Sequence, residues 1–248
     1  MINFSRISAK SLSGRLLRKL LGVISDDTVL FILQGPMRGR KWIKGSGVSG
    51  YWLGTYELEH QKILSGLLRD GDVFYDVGAH VGFFSLLASH LVGVRGAVYA
   101  FEPFSRNAAF LKKHIVLNEI SNIKVIEAAI ADYDGEAFFE ESESSFMGKV
   151  STNGKSRVTV ASLDSLIGGG KIPPPSVMKI DVEGLQDIVL KGSRGILEKY
   201  YPAILVEAVY EKDNKQNFYS VLTSLGYTIE PIGCKSIEVA GDFFAYKK

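Results

Sequence analysis

Cysteine is almost absent from this 248-residue chain: Cys234 stands alone, so an internal disulfide is excluded and no cysteine-based metal motif exists. A reducing, cytoplasmic setting is the expectation. Net charge is equally scarce, since 29 Lys and Arg against 27 Asp and Glu leave +2. A dedicated nucleic-acid binder would carry a basic excess, so DNA and RNA are not expected partners. No apolar run reaches the length of a membrane span. A signal peptide is not read at the start either, because Arg6, Lys10, Arg15, Arg18 and Lys19 interrupt Met1–Val23. Leu12, Leu16, Leu17, Leu20 and Leu21 lie between those charges and predict a basic amphipathic helix, docked on its own domain or resting on an anionic lipid surface.

What is present is ordinary globular material: 46% apolar and 23% charged residues predict a sizeable core. The length fits one α/β domain, residues 56–248, behind an N-terminal extension, residues 1–55. The chain is organised around Val73–Glu102 (VFYDVGAHVGFFSLLASHLVGVRGAVYAFE). A β-branched and aromatic run breaks at Asp76-Val77-Gly78-Ala79-His80-Val81-Gly82. It resumes as an apolar stretch of helical length and ends in a second strand, Ala97–Phe101. That is a βαβ unit with a glycine turn at its first junction. Gly78 and Gly82 are expected to let the backbone approach a ligand closely. Glu102 closes the second strand, where such units place an acid that accepts hydrogen bonds from ribose hydroxyls.

A second absence narrows the ligand. Against G-x-G-x-x-G, Asp76 and Val81 occupy the outer glycine positions, and Gly82 is followed by Phe83-Phe84 rather than the lysine of a phosphate loop. A carboxylate at the turn disfavours pyrophosphate and suits a ligand that carries an ammonium and a sulfonium. The D-x-G-x-x-x-G turn with its strand-terminal Glu102 resembles the S-adenosylmethionine site of class I methyltransferases.

Along the chain, Thr28–Leu33 predicts a strand and the glycine-rich Gln34–Tyr51 a ribbon or set of turns. That segment is either a flap, with Tyr51, Trp52 and Tyr56 as apolar walls, or a hairpin on the sheet edge. Thr55-Tyr56-Glu57 opens a helix that stops at Asp70-Gly71, and Asn107–Asn118 forms another, with Ala108, Leu111, Ile115 and Val116 inward. Lys124–Ala129 is expected as the third strand, where the small Ala128 and Ala129 leave room for a flat adenine ring. After Arg157–Val160, Ser162–Leu166 and the breaker run Gly168–Pro175 comes Val177–Ile180, a central strand ending in Asp181 and Glu183. Charges there are costly unless paired, ligand-bound or chemically active, and an ion pair with Lys179 is the structural alternative. Ala203–Glu207 ends in a further acid, and Tyr227–Ile232 with Phe243–Tyr246 form closing antiparallel strands.

Taken together, Asp76–Gly82, Phe101-Glu102-Pro103, Lys179-Ile180-Asp181-Val182-Glu183-Gly184 and Trp52-Leu53-Gly54-Thr55-Tyr56-Glu57 resemble the FkbM-type methyltransferase family over most of the chain. Two departures stand out: His80 replaces the usual Asn, and Gln186 a common acid. The resemblance implies a Rossmann-like α/β fold, a seven-stranded mostly parallel sheet with an antiparallel last strand, and S-adenosylmethionine-dependent O-methylation of a sugar, glycan precursor or natural product. The implied cofactor-binding set is Glu57, Asp76, Gly78, Ala79, His80, Gly82, Glu102 and Ala129, with Asp181 and Glu183 as candidate catalytic residues. Asp181, Glu183 and Glu207 also offer hard oxygen ligands to Mg²⁺, which is not favoured because strand-end carboxylates need no metal. A nicotinamide-dependent oxidoreductase and a non-catalytic S-adenosylmethionine-binding module are the rival readings. The acceptor pocket is expected between the segment near Tyr51 and Glu140–Gly154.

Overall fold

The apolar runs become strands wherever they are short and β-branched, and helices wherever glycine or proline does not stop them. The structure is a computed structural model that describes residues 23–141, 148–150, 156–182, 184–207, 212–236 and 240–247. The amphipathic segment expected over Met1–Val23, apart from Val23, lies outside the described residues, as does Glu183.

In chain order, β1 (Val29–Phe31) and β2 (Lys41–Ile43) form an antiparallel ribbon, followed by the short helix α1 (Gly50–Leu53) and by α2 (Leu58–Leu67). Then come β3 (Val73–Val77), α3 (Phe83–Val92), β4 (Ala97–Phe101), α4 (Ser105–Leu117) and β5 (Ile123–Ile126). A smaller unit follows, with β6 (Ala129–Ile130), β7 (Gly135–Glu141), β8 (Gly148–Val150) and β9 (Ser156–Ala161). The last part holds α5 (Leu163–Gly168), β10 (Val177–Ile180), α6 (Gln186–Lys191), α7 (Arg194–Lys199), β11 (Ala203–Glu207), α8 (Lys212–Ser224), β12 (Thr228–Ile232) and β13 (Asp242–Tyr246).

The main sheet has seven strands in the order β12-β13-β11-β10-β3-β4-β5, and β13 runs antiparallel to the other six. That is the expected sheet. Its central strands are buried on both faces by crossover helices. On one face Tyr75, Val77, Met178 and Ile180 pack against Val189, Ile196 and Phe218; on the other Phe74, Val98 and Leu205 pack against Leu64, Phe84 and Leu87. Two charged residues interrupt these strands, Asp76 at 1% exposure and Lys179 at 3%. They are register partners across β3 and β10, and both project to the face that carries α3. Paired charge is the arrangement under which burial there is tolerable.

Three expectations are corrected. The third strand does not run through to Ala129: it ends at Ile126, where the Ala128 N–H donates to the Ile126 carbonyl at 2.9 Å and turns the chain. Ala129–Ile130 then joins a separate four-stranded sheet, parallel to β9. Val116 is not inward but 76% exposed; the buried face of α4 is Asn107, Ala108, Leu111 and His114. Trp52 is no cavity wall, being buried in the core that covers one face of the sheet.

The N-terminal ribbon docks on α4. Trp42 stacks on His114 with ring centroids 3.8 Å apart, and the Ile43 N–H donates to His114 Nε2 at 3.2 Å. Asn118 closes the contact, accepting from the Lys41 N–H at 2.7 Å and donating to its carbonyl at 2.9 Å. This docking carries Val48 and Tyr51 to the carboxyl end of the sheet, over the junction after β3.

Candidate active site

A cavity of about 420 Å³ opens at the carboxyl ends of β3, β4, β10 and β11, a size suited to a small ligand. Gly78, Ala79 and His80 line it from the first turn, Glu102, Phe104 and Asn107 from the end of β4, and Ala128 and Ala129 from beyond β5. Val48, Tyr51 and Tyr56 supply the wall from the N-terminal region. Lys179, Asp181 and Glu207 stand on the remaining side.

At the turn, burial raises the carboxyl of Asp76 above the usual range, with Lys179 and Ser85 opposing it. Ser85 Oγ donates to Asp76 Oδ2 at 2.5 Å, whereas buried Oδ1 has no hydrogen-bond partner among the described residues. An uncompensated carboxylate oxygen beside a cavity is a receptor for a cationic donor group. Glu102 sits 3% exposed and is pushed to about 7 by burial, although three donors oppose that rise. These are the His80 N–H at 2.8 Å, the Phe104 N–H at 3.0 Å and Asn107 Nδ2 at 3.3 Å. The two oxygens are therefore fixed in direction before any ligand arrives.

His80 adopts φ +51°, a left-handed conformation in which its N–H can reach Glu102. Its Nδ1 lies 3.2 Å from the Tyr51 hydroxyl. Burial depresses the imidazole to about 4, so it is neutral at physiological pH. His80 thus links the Tyr51 segment to the acid after β4.

The glycines divide differently from the expectation. Gly78 lines the cavity at φ +81°, and a Cβ there would meet the Asp181 carbonyl oxygen at 1.9 Å. Gly82, at φ +92°, is not among the lining residues, and its Cβ would meet Leu111 Cδ1 at 2.1 Å. Close packing of α3 on α4, rather than ligand approach, is what excludes a side chain at Gly82. Glu57 also lies off the lining, at φ +41°, with Oε2 3.6 Å from His60 Nδ1. Burial raises Glu57 to about 7 and outweighs the opposing pull of Lys179.

On the opposite side, Lys179 Nζ donates to Asp181 Oδ2 at 2.6 Å and lies 4.9 Å from the centre of the Phe84 ring. Burial would lower the Lys179 ammonium, but Asp181, Asp76 and Glu57 together hold it above its ordinary value. Asp181 keeps 30% of its side chain exposed, toward the cavity. Asp181 is ion-paired with Lys179 and at the same time lines the cavity. Asn107 is not legible in the sequence, because its position in a helix carries no signal. Lys179 stands there only as the ion-pair alternative for Asp181, although a lysine inside a buried β-branched strand is itself a signal. Residues 142–147 and 151–154 of the stretch expected to wall the acceptor lie outside the described residues.

Sheet order, crossover helices and a cavity at the strand ends define a Rossmann-like fold of the class I methyltransferase kind. Residues 76–229 match the family described as "Methyltransferase FkbM domain". The chain belongs to the FkbM methyltransferase family. It is 30% identical over 132 residues to the hexuronic acid methyltransferase AglP of Haloferax volcanii, an alignment covering 52% of this chain and 53% of that protein. It therefore spans about half the length of that relative. Among solved structures, the methyltransferase FkbM of Methylobacillus flagellatus KT superposes with a TM-score of 0.55 at 19% identity, over 77% of this chain and 51% of that one. A precorrin-6y C5,15-methyltransferase of Geobacter metallireducens GS-15 superposes with a TM-score of 0.51 at 18% identity, over 77% and 90%.

Proposed function

We propose that the protein transfers the methyl group of S-adenosylmethionine to a hydroxyl of a saccharide or related polyol. The observation that carries this reading is the placing of two oriented acids, Asp76 and Glu102, around one cavity that a third, Asp181, enters from the other side. Asp76 Oδ1, without a partner among the described residues, fits the ammonium of the donor. Glu102 fits its ribose hydroxyls, and Ala128 and Ala129 leave space for adenine. The likeness to a hexuronic acid methyltransferase supports a saccharide acceptor.

The donor supplies a methyl carbon already activated by a sulfonium, so the protein's work is alignment and removal of the acceptor proton. Asp181 is the base in this reading: its charge is held by Lys179 at 2.6 Å and its side chain reaches the cavity. Lys179 Nζ already neutralises Asp181 Oδ2 at 2.6 Å, which disfavours a divalent cation between Asp181 and Glu207, and Glu183, the third carboxylate offered for one, lies outside the described residues. Calorimetry is expected to show S-adenosylmethionine binding and no NAD binding. Labelled methyl groups should pass to methyl glycosides of hexuronic acids or neutral hexoses in the presence of a chelator. NAD binding without donor binding, or no label in any acceptor, overturns the reading.

Glu102 provides a further check. Glu102→Gln is expected to weaken donor binding by about 10- to 100-fold, the cost of mismatching a buried charged hydrogen-bond acceptor. The new amide group must point one N–H₂ at donors that now face oxygen. In the wild type, protonation removes the negative charge as pH falls through about 7, so donor affinity should decline on acidification across that range. Glu102→Gln should lose Glu102's share of that decline. Equal affinity of the two proteins at every pH would refute the assignment.

A further inference from the structure

We propose, within the methyl-transfer reading above, that Glu207 is a positioning residue: Asp181 and Glu207 form a carboxyl pair sharing one proton beside Lys179, so that Asp181 offers the acceptor a single fixed negative charge. The two side chains stand at adjacent strand ends, since Ile180 and Val206 are register partners of the parallel β10 and β11. Both line the cavity, and each carboxyl acts on the other's proton: Asp181 raises the proton affinity of Glu207, and Glu207 lowers that of Asp181. Gln186 Nε2 pins the Glu207 carbonyl at 2.7 Å, and Lys179 Nζ holds Asp181 Oδ2 at 2.6 Å.

Electrostatics require such sharing. Glu207 is surrounded by Asp181, by Glu57 at the start of α2, and by its register partner Asp242 on β13. Lys179 is the only lysine or arginine among the described residues lining the cavity. His60, whose Nε2 lies 3.9 Å from Asp242, and His80 are both depressed to about 4 by burial and add no charge at neutral pH. Full ionisation of these acids around one ammonium is too costly. Glu207 is the group that keeps its proton, pushed to about 9 by burial and by the charge of Asp181, while Lys179 and Glu207 hold Asp181 low against its own burial.

The reaction explains why one charge serves better than two. As the acceptor O–CH₃ bond forms and the S–CH₃ bond breaks, its electron pair stays on sulfur and the hydroxyl proton passes to Asp181. The sulfonium charge and the Asp181 charge disappear together. An ionised Glu207 would stabilise the sulfonium reactant more than a transition state in which that charge is already spread, and would repel Asp181.

Two measurements on the full-length protein test this. The first is infrared spectroscopy with isotope-labelled glutamate carboxyls. The wild type should show, at neutral pH, a protonated carboxyl band that is missing from Glu207→Gln. In Asp181→Asn the same group should ionise at lower pH. Identical bands in wild type and Glu207→Gln overturn the proposal, whether or not any acceptor is methylated, so its failure is separable from failure of the methyl-transfer reading. The second is the pH profile of kcat with the methyl glycosides. Wild-type kcat should fall above about 9, where Glu207 ionises. Glu207→Gln should lack that fall. Glu207→Ala should lose kcat by about tenfold, the worth of a hydrogen bond to a charged group, with KM unchanged and part of the loss restored in Glu207→Gln. An unaltered alkaline fall in Glu207→Gln, or wild-type kcat in Glu207→Ala, also overturns it.

Discussion

Asp181→Asn is expected to reduce kcat by about 10²- to 10⁴-fold, the range a positioned general base supplies. Donor affinity should stay within a few-fold of wild type. The asparagine keeps the size of the side chain and an oxygen for Lys179 Nζ, now 2.6 Å from Asp181 Oδ2. It cannot take up a proton, so the acceptor hydroxyl must react as the neutral alcohol. Removing one member of a buried ion pair also destabilises, by about 3–5 kcal/mol when both partners are fully enclosed. The loss should be smaller here, because Asp181 is 30% exposed and Asp76 and Glu57 remain close enough to act on Lys179. Thermal unfolding of the variant therefore belongs beside steady-state kinetics. A folded Asp181→Asn protein with wild-type turnover would eliminate Asp181 as the base.

Gly78→Ala should unfold the site or the whole domain, at a cost of about 3 kcal/mol or more, the range for severe backbone clashes and strain at special positions. At φ +81° the new Cβ would lie 1.9 Å from the Asp181 carbonyl oxygen. That oxygen cannot retreat easily, because the Asp181 N–H is tied to the Val77 carbonyl at 2.9 Å and the strands on either side are in register. Gly82→Ala is the informative contrast. Its clash is with the Leu111 side chain at 2.1 Å, so Leu111→Ala should recover part of the lost stability, leaving the strain of a non-glycine residue at φ +92°. No single side-chain truncation should rescue Gly78→Ala. Differential scanning calorimetry and donor titration of the variants decide the matter, and a Gly78→Ala protein that melts with the wild type would remove the steric argument.

Much of this architecture is legible in the chain because local chemistry and the fold agree. Val73–Val77, Ala97–Phe101, Val177–Ile180 and Ala203–Glu207 are short, apolar and bounded by turns, and each is a strand of the main sheet. The acids at their ends follow from the same pattern, which is why Asp76, Glu102 and Asp181 could be picked out as candidates for one edge. Lys124–Ala129 fails by the same test: its apolar run carries no mark of the tight turn at Ile126–Ala128, and it serves two sheets. Val116 fails because the ribbon docks on the His114 side of α4, and the same side carries Asn107 to Glu102, which leaves Val116 facing outward.

What a reader of the bare chain obtains is an inventory with its order: alternating strands and helices, an acid in the first turn, and carboxylates closing successive strands. Periodicity and turn chemistry act between near neighbours, so they survive in one dimension. Which acid stays charged is a property of the folded molecule. Lys179 lies between Asp76 and Asp181 because parallel strands pair at one register, and Glu207 meets Asp181 because β11 is the next strand over. Burial then turns those distances into unequal proton affinities, and neither burial nor the gap between strands 20 or more residues apart in the chain is written in any local pattern.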